Sequence, residues 1–393
     1  MILSHQPGYA GTGARLSAMM FLQFFVWGGW YVTVGNYMGE NGMTDLIAWA
    51  YSLCPIAAII SPFFLGMVAD RFFATERVLG VMHILGGAAL LAAPSLGQAS
   101  PTIFITILLV HTLCYMPTLG LTNTLAFHHM SDPEKQFPMV RVFGTIGWIV
   151  ANIVVSKLLH GDELPVQFYV AGGAAVLLGL YSFSLPHTPA PAAGQKARVR
   201  DILGLDSLGL LRRPEFAVFM ASSFLICIPL AFYYSFAPVF VKSVGVADPA
   251  FNMSFGQMSE IFFMLVMPFC FRRLGVKWML LVGMFAWVAR YGLFAGAAMN
   301  GMLPLIMIGI ILHGICYDFF FVTGQIYVDQ VASVNIRGQA QGFLVLVTQG
   351  LGMLIGAQVA GRIVAANTVG DTVQWFSVWI IPCVAAGIIM LIF

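Results

Sequence analysis

Charge is what this sequence has least of. Asp, Glu, Lys and Arg make up only 9% of its 393 residues, whereas 60% are hydrophobic. A water-soluble chain of this length cannot cover its surface with so little charge, so its solvent is lipid. Cysteine is sparse as well. The six, at positions 54, 114, 227, 270, 316 and 383, lie scattered through apolar runs without metal-like spacing. Neither a disulfide framework nor a zinc site is expected from that pattern, and no metal or cofactor is assigned. No Gly-x4-Gly-Lys-Ser/Thr loop occurs, and no soluble stretch is long enough to fold as a nucleotide-hydrolysing domain. ATP-driven pumping within this chain is thereby excluded. His128 and His129 sit near Asp132, but no further ligands cluster there and no Ser/His/Asp arrangement is evident. The chain does not read as an enzyme.

What the sequence has in abundance is apolar stretches long enough to cross a bilayer as helix, which takes about 20 residues. Twelve are expected, over 16–38, 44–69, 77–97, 101–128, 139–160, 166–184, 214–242, 251–271, 277–298, 302–327, 338–362 and 372–393. A membrane β-barrel needs alternation instead, and runs such as residues 280–289, Leu-Leu-Val-Gly-Met-Phe-Ala-Trp-Val-Ala, do not alternate. The expected fold class is an all-α integral membrane protein. The first stretch is too long for a signal-peptide core and reads as a retained signal-anchor.

If the N-terminus is inside, thirteen Lys and Arg between Arg15 and Arg337 fall at cytoplasmic ends and loops, and only Lys157, Lys242 and Arg362 fall opposite. The positive-inside rule then places both termini in the cytoplasm. Hydrophobicity breaks once at length, between 185 and 213, in a Pro/Ala/Gly stretch followed by basic residues. This implies an N-terminal six-helix bundle over 1–185, a cytoplasmic linker over 186–213 and a C-terminal six-helix bundle over 214–393. A weak echo relates the halves. Tyr115, Asn123 and Arg141 recur in order as Tyr317, Gln325 and Arg337. In the eleventh stretch Gly338 and Gly342, then Gly352 and Gly356, are four apart, a spacing that lets helix backbones approach closely.

The loop after the second stretch carries Gly66, Asp70 and Arg71. Its spacing resembles the Gly-x3-Asp-Arg signature of the major facilitator superfamily, where it forms a cytoplasmic charge latch. With twelve spans and a central linker, the resemblance implies that superfamily's fold.

Ionisable residues deep in hydrocarbon are costly and therefore mark function by default. Four qualify: Arg141, Glu260, Arg290 and Asp318. Gln257 and Glu260 are three apart on one face of the eighth span. By rise, Glu260 lies about 14 Å from the outer end, near mid-membrane. His313 and Tyr317 share a face of the tenth span, with Asp318 about 100° away on the same helix. Arg141, Thr145 and Trp148 follow i, i+4, i+7 and offer a cation, a hydroxyl and an aromatic plane, which suit a polar ring-bearing ligand. Arg290 sits nearer the outer face than Asp318 and reads as structural.

Several blocks are more specific. Phe21–Trp30, Tyr115–Thr124, Phe137–Gly147, Gln257–Glu260 and Ile336–Gly342 resemble the bacterial nucleoside:proton symporter family of that superfamily. The resemblance implies a central cavity in which Arg141, Thr145, Gln257 and Glu260 contact the nucleoside, with aromatic character kept at Trp148 and Tyr317. His313 joins the expected binding set. Glu260 and Asp318 are the expected proton-coupling residues, Asp318 matching an acidic position implicated in transport. The chain departs from the family pattern at three places. Ala231 and Tyr234 stand where Gln and Asn are expected, and His313 where Tyr is expected. The expectation is proton-coupled nucleoside import by a monomer of the bacterial inner membrane, with no nucleic-acid partner. The departures leave open another polar metabolite, such as a nucleobase or a sugar derivative, and a non-transporting receptor is the remaining reading.

Overall fold

Within hydrocarbon, every backbone N–H and C=O must find its partner inside the chain, and this sequence meets that demand with helix. The computed structural model describes residues 9–65, 70–190, 205–333 and 336–393. In its first half, α1 (Tyr9–Tyr31) breaks at residues 32–33 before α2 (Val34–Glu40). There follow α3 (Ile47–Phe64), α4 (Thr75–Gly97), α5 (Pro101–His128), α6 (Pro133–Asn152) and α7 (Val166–Ser182). Two starts are set by a capping side chain followed by proline. Ser100 accepts from the Thr102 N–H at 3.2 Å ahead of Pro101, and Asp132 accepts from the Lys135 N–H at 3.3 Å ahead of Pro133. Such pairs satisfy an orphan donor and place proline where its missing N–H costs nothing. The Lys135 ammonium, 2.7 Å from Asp132, holds that exposed carboxyl below the usual carboxylate range by its hydrogen bond.

The second half comprises α8 (Pro214–Ser243), α9 (Pro249–Asn300), α10 (Leu303–Ile311), α11 (His313–Cys316) and α12 (Thr323–Val331). It closes with α13 (Arg337–Val345), α14 (Met353–Ala366) and α15 (Trp375–Ile392). Wide π turns over Tyr317–Val322 and Leu346–Gly352 join α11 to α12 and α13 to α14.

Ten helical stretches among the described residues are long and apolar enough to cross a membrane. One of them, the 52-residue α9, would run about 78 Å if straight, more than twice a hydrocarbon core of about 30 Å. It turns back at Gly275, whose φ of 69° favours a residue without Cβ, so it counts as two traverses. The 17-residue α7 is the shorter apolar helix. These two additions bring the described traverses to the expected twelve, and the all-α membrane fold is borne out. A minor departure is a two-stranded ribbon, Thr368–Val369 with Thr372–Val373, between α14 and α15.

The chain divides into two compact units, Met1–Thr33 with Ile60–Ala197, and Val34–Ile59 with Arg198–Phe393. By contact, α2 and most of α3 group with the later helices. Within that second unit the Gln358 amide donates to Ser52 Oγ at 2.8 Å, Lys242 lies 3.6 Å from Glu40, and a Cβ on Gly35 would sit 3.1 Å from Val239. Gly361 is pressed against Ala48, leaving no room for a side chain. Residues 191–204 of the expected linker lie outside the described residues, as does Gly66 of the latch signature; Asp70–Phe72 forms a single helical turn.

Candidate functional site

In the first unit, glycines decide where the candidate binding residues lie. A Cβ at Gly147 of α6 would be driven into the Phe21 carbonyl of α1, and one at Gly28 would come within 3.0 Å of the Trp148 backbone. The two helices therefore meet backbone to backbone, as small residues permit in membranes. That approach lays the half-buried Arg141 guanidinium 4.1 Å from the centroid of the Phe24 ring, a cation–π contact. It also sets Trp148 edge-on against Trp27 at 5.5 Å and Tyr31 at 6.2 Å, with Tyr115 5.7 Å from Trp27. The indole N–H groups of Trp27 and Trp148 are buried without a hydrogen-bond partner. Thr145 is half-buried. Beneath this aromatic group lies a buried polar chain. Gln23 donates to Thr118 Oγ1 at 2.7 Å, its amide oxygen lies 2.8 Å from His83 Nε2, and Tyr115 donates to the Gln23 carbonyl at 2.6 Å.

In the second unit, Gly314 plays the corresponding part. Its Cβ would fall 2.6 Å from the Ser259 carbonyl carbon and 2.7 Å from the Glu260 nitrogen. The Ser259 hydroxyl fastens the crossing, accepting from the Gly314 N–H at 3.0 Å and lying 2.7 Å from the Ile311 carbonyl. Glu260 is thus held beside α11, its Oε2 4.0 Å from His313 Nε2, with 14% of its side chain exposed. On the other edge of the same imidazole, Nδ1 lies 3.2 Å from Nη2 of the fully buried Arg290. Arg290 in turn lies 4.0 Å over the Tyr233 ring, and that ring stacks on His313 at 5.3 Å and 16°. Tyr234 meets His313 edge-on at 6.1 Å, and Tyr317 lies 6.0 Å from it. The Gln257 amide oxygen and both carboxyl oxygens of the fully buried Asp318 have no hydrogen-bond partner.

Comparison with known proteins settles the lineage. Residues 10–393 match the family described as nucleoside H+ symporter. The chain belongs to the nucleoside H+ symporter family. It is 39% identical to YegT of Escherichia coli (strain K12), over 97% of this chain and 93% of that protein. It is 33% identical to the nucleoside permease NupG of the same strain, over 93% and 91%. The crystal structure of the nucleoside transporter NupG superposes with a TM-score of 0.86 at 30% identity, covering 97% of both chains.

As a nucleoside H+ symporter family member, the chain gathers Gln257 and Glu260 on one helix and His313, Tyr317 and Asp318 along another within one unit. Arg141, Thr145 and Trp148 stand together in the other unit. The departures from the family pattern also find their places. Ala231 is fully buried, its methyl 2.6 Å from where a Gly356 Cβ would stand, so it packs directly on that glycine. Of the four spaced glycines, Gly352 and Gly356 pack tightly onto α8, whereas Gly338 and Gly342 face open space. The echo between the halves does not extend to contacts: Arg141 lies on a phenyl ring, whereas Arg337 pairs with Asp329 at 3.1 Å. Arg290, read from the sequence as structural, lies 3.2 Å from the binding candidate His313. The aromatic group of Trp27, Tyr31 and Tyr115 is a further addition. The first and fourth spans carry it; the family-like blocks had taken in Trp27 and Tyr115, and the echo between the halves Tyr115 as well.

Proposed function

We propose that this protein imports nucleosides across a bacterial inner membrane by proton symport, with H+ as the coupling ion, no cofactor, and alternating access as the mechanism. The observation that carries this reading is Glu260, a partly exposed carboxyl at membrane depth beside a histidine whose far edge meets a buried arginine. A carboxylate there is costly unless it is paired or protonated, so proton binding and ligand binding both act on the same group. Family membership over nearly the whole chain supplies the substrate class.

In this reading Arg141, Thr145, Trp148, Gln257, Glu260, His313 and Tyr317 bind the nucleoside. A flat base offers a π face and a hydrogen-bonding edge. Trp148 and Tyr317 suit the face, and Arg141 and Gln257 suit polar edges or ribose hydroxyls. Glu260 and Asp318 handle the proton, because the unpartnered Asp318 oxygens need either a proton or a donor at some stage of the cycle. Gly66, Asp70 and Arg71 form the cytoplasmic latch. The chain works as a monomer, 1–185 and 214–393 supply the two moving bundles, and both termini lie in the cytoplasm.

Competition against labelled uridine in proteoliposomes under an inward proton gradient tests the assignment. Unlabelled nucleosides are expected to inhibit by at least about tenfold more than free bases or sugars at equal concentration, since a site built to hold both base and ribose rejects ligands that lack either. Inhibition by bases or sugars alone would move the substrate to another class.

A further inference from the structure

Arg290 is fully buried in the span α9 forms beyond Gly275, and it carries no role in the binding set proposed above. Its placement nevertheless constrains the chemistry next to Glu260. A guanidinium has only N–H donors and stays protonated in proteins, whereas each ring nitrogen of a histidine can be donor or acceptor depending on the tautomer. At 3.2 Å, Arg290 Nη2 must be the donor and His313 Nδ1 the acceptor. The single ring proton then resides on Nε2, the nitrogen that faces Glu260 Oε2 at 4.0 Å. The pair is accordingly no ion pair in this arrangement, because an imidazolium would set an N–H at Nδ1 against the N–H of a neighbouring cation.

The surroundings hold this order in place. Tyr233 stacks on the imidazole at 5.3 Å while its face receives the Arg290 guanidinium at 4.0 Å, so one ring orients both partners. The ionisable groups recorded around His313 are Arg290 and Glu260 from α9, Tyr233 and Tyr234 from α8, and Tyr317 on its own helix. Of these, only Glu260 has an ordinary titration range that makes it an anion near neutral pH. Gly256 and Gly314 let the two helices close on the site, with a Gly256 Cβ falling 3.0 Å from the His313 Cβ.

We infer that Arg290 is a positioning residue that locks His313 in its neutral Nε2–H tautomer, so that His313 keeps an N–H turned toward Glu260, 4.0 Å away and within reach after a small side-chain movement, and does not act as a second proton carrier. This deepens the symport reading and rests on it in one respect: Glu260 is the group whose proton moves. The fixed donor favours the deprotonated carboxylate after the proton has left, and it remains unchanged when Glu260 is protonated again.

Two measurements test this. Nitrogen-15 spectra of histidine-labelled, full-length protein in nanodiscs, with the His313 signals assigned by their loss in His313→Gln, report the tautomer without any substrate. Between about pH 5 and 8 the wild-type ring is expected to keep a bare Nδ1 and a protonated Nε2. In Arg290→Met the Nδ1 signal is expected to titrate. A wild-type imidazolium signal within that range would overturn the inference. The second measurement is uridine accumulation as a function of external pH. A glutamine has both an acceptor and a donor but cannot carry a proton. His313→Gln is therefore expected to change the KM for uridine yet keep proton-driven accumulation with an unmoved pH midpoint, whereas His313→Leu lowers its maximal rate about tenfold or more. Loss of proton coupling in His313→Gln, or a wild-type rate in His313→Leu, would contradict it. Absence of uridine flux in the wild type would strike the symport reading alone, because the tautomer is read independently of transport.

Discussion

Glu260→Gln is expected to abolish uridine accumulation against its gradient while exchange between labelled and unlabelled uridine continues. The amide has nearly the shape of a protonated carboxyl and can still donate to a ligand, so the substitution resembles the proton-loaded state without the ability to leave it. Accumulation depends on that departure. A carrier that cannot release a proton inward can still equilibrate its substrate, but it cannot extract work from the proton gradient. The position makes compensation difficult. Glu260 is fixed by the Gly314 and Ser259 crossing, with the His313 imidazole 4.0 Å away. Uptake driven by an imposed pH gradient, measured beside counterflow in preloaded proteoliposomes, separates the two activities. Wild-type accumulation in the variant would show that the proton travels elsewhere.

Gly147→Ala is expected to destabilise the first unit out of proportion to the single methyl added. At most helix contacts an extra methyl meets a side chain that can rotate aside. Here it meets the Phe21 carbonyl, and both colliding groups belong to helix backbone. The helices must separate or shift along one another, at a cost toward the upper end of the about 1–3 kcal/mol typical of overpacking. That is a substantial part of a marginal total stability of about 5–15 kcal/mol. The same shift draws Arg141 off Phe24 and Trp148 off Trp27, so binding suffers with stability. Thermal unfolding in detergent, followed by uridine binding at a temperature where the variant is folded, reads both effects. An unchanged unfolding temperature would mean that α1 and α6 do not approach as closely as described.

The number of traverses was legible because hydropathy acts over about 20 residues at a time and needs no knowledge of neighbours. The turn at Gly275 was anticipated by the basic cluster of Arg272, Arg273 and Lys277 on either side. Local breaks were less visible. The interruption of the first span at residues 32–33 and the π turn that carries Tyr317 and Asp318 leave hydropathy almost unchanged, since they alter only backbone pairing.

The candidate site was legible residue by residue and illegible as an arrangement. Glu260 and Arg141 stood out as charges in apolar runs. Arg290 stood out equally, but its partners His313 and Tyr233 are 23 and 57 residues away in the chain, and no periodicity links positions on different helices. Spacing also could not distinguish Gly352 and Gly356, which press on α8, from Gly338 and Gly342, which press on nothing within 4 Å. Ala231 shows the same limit. Matched to an amide position, it reads as a lost contact with substrate, whereas the structure buries it in the packing of α8 on Gly356.

The most direct test of the account is whether uridine brings protons with it. Proteoliposomes containing the purified protein and a trapped pH-sensitive dye, at equal internal and external pH and with the membrane potential clamped, are given external uridine. The account predicts immediate internal acidification that is absent without protein and absent in Glu260→Gln. Uridine entry with no change in internal pH would contradict it.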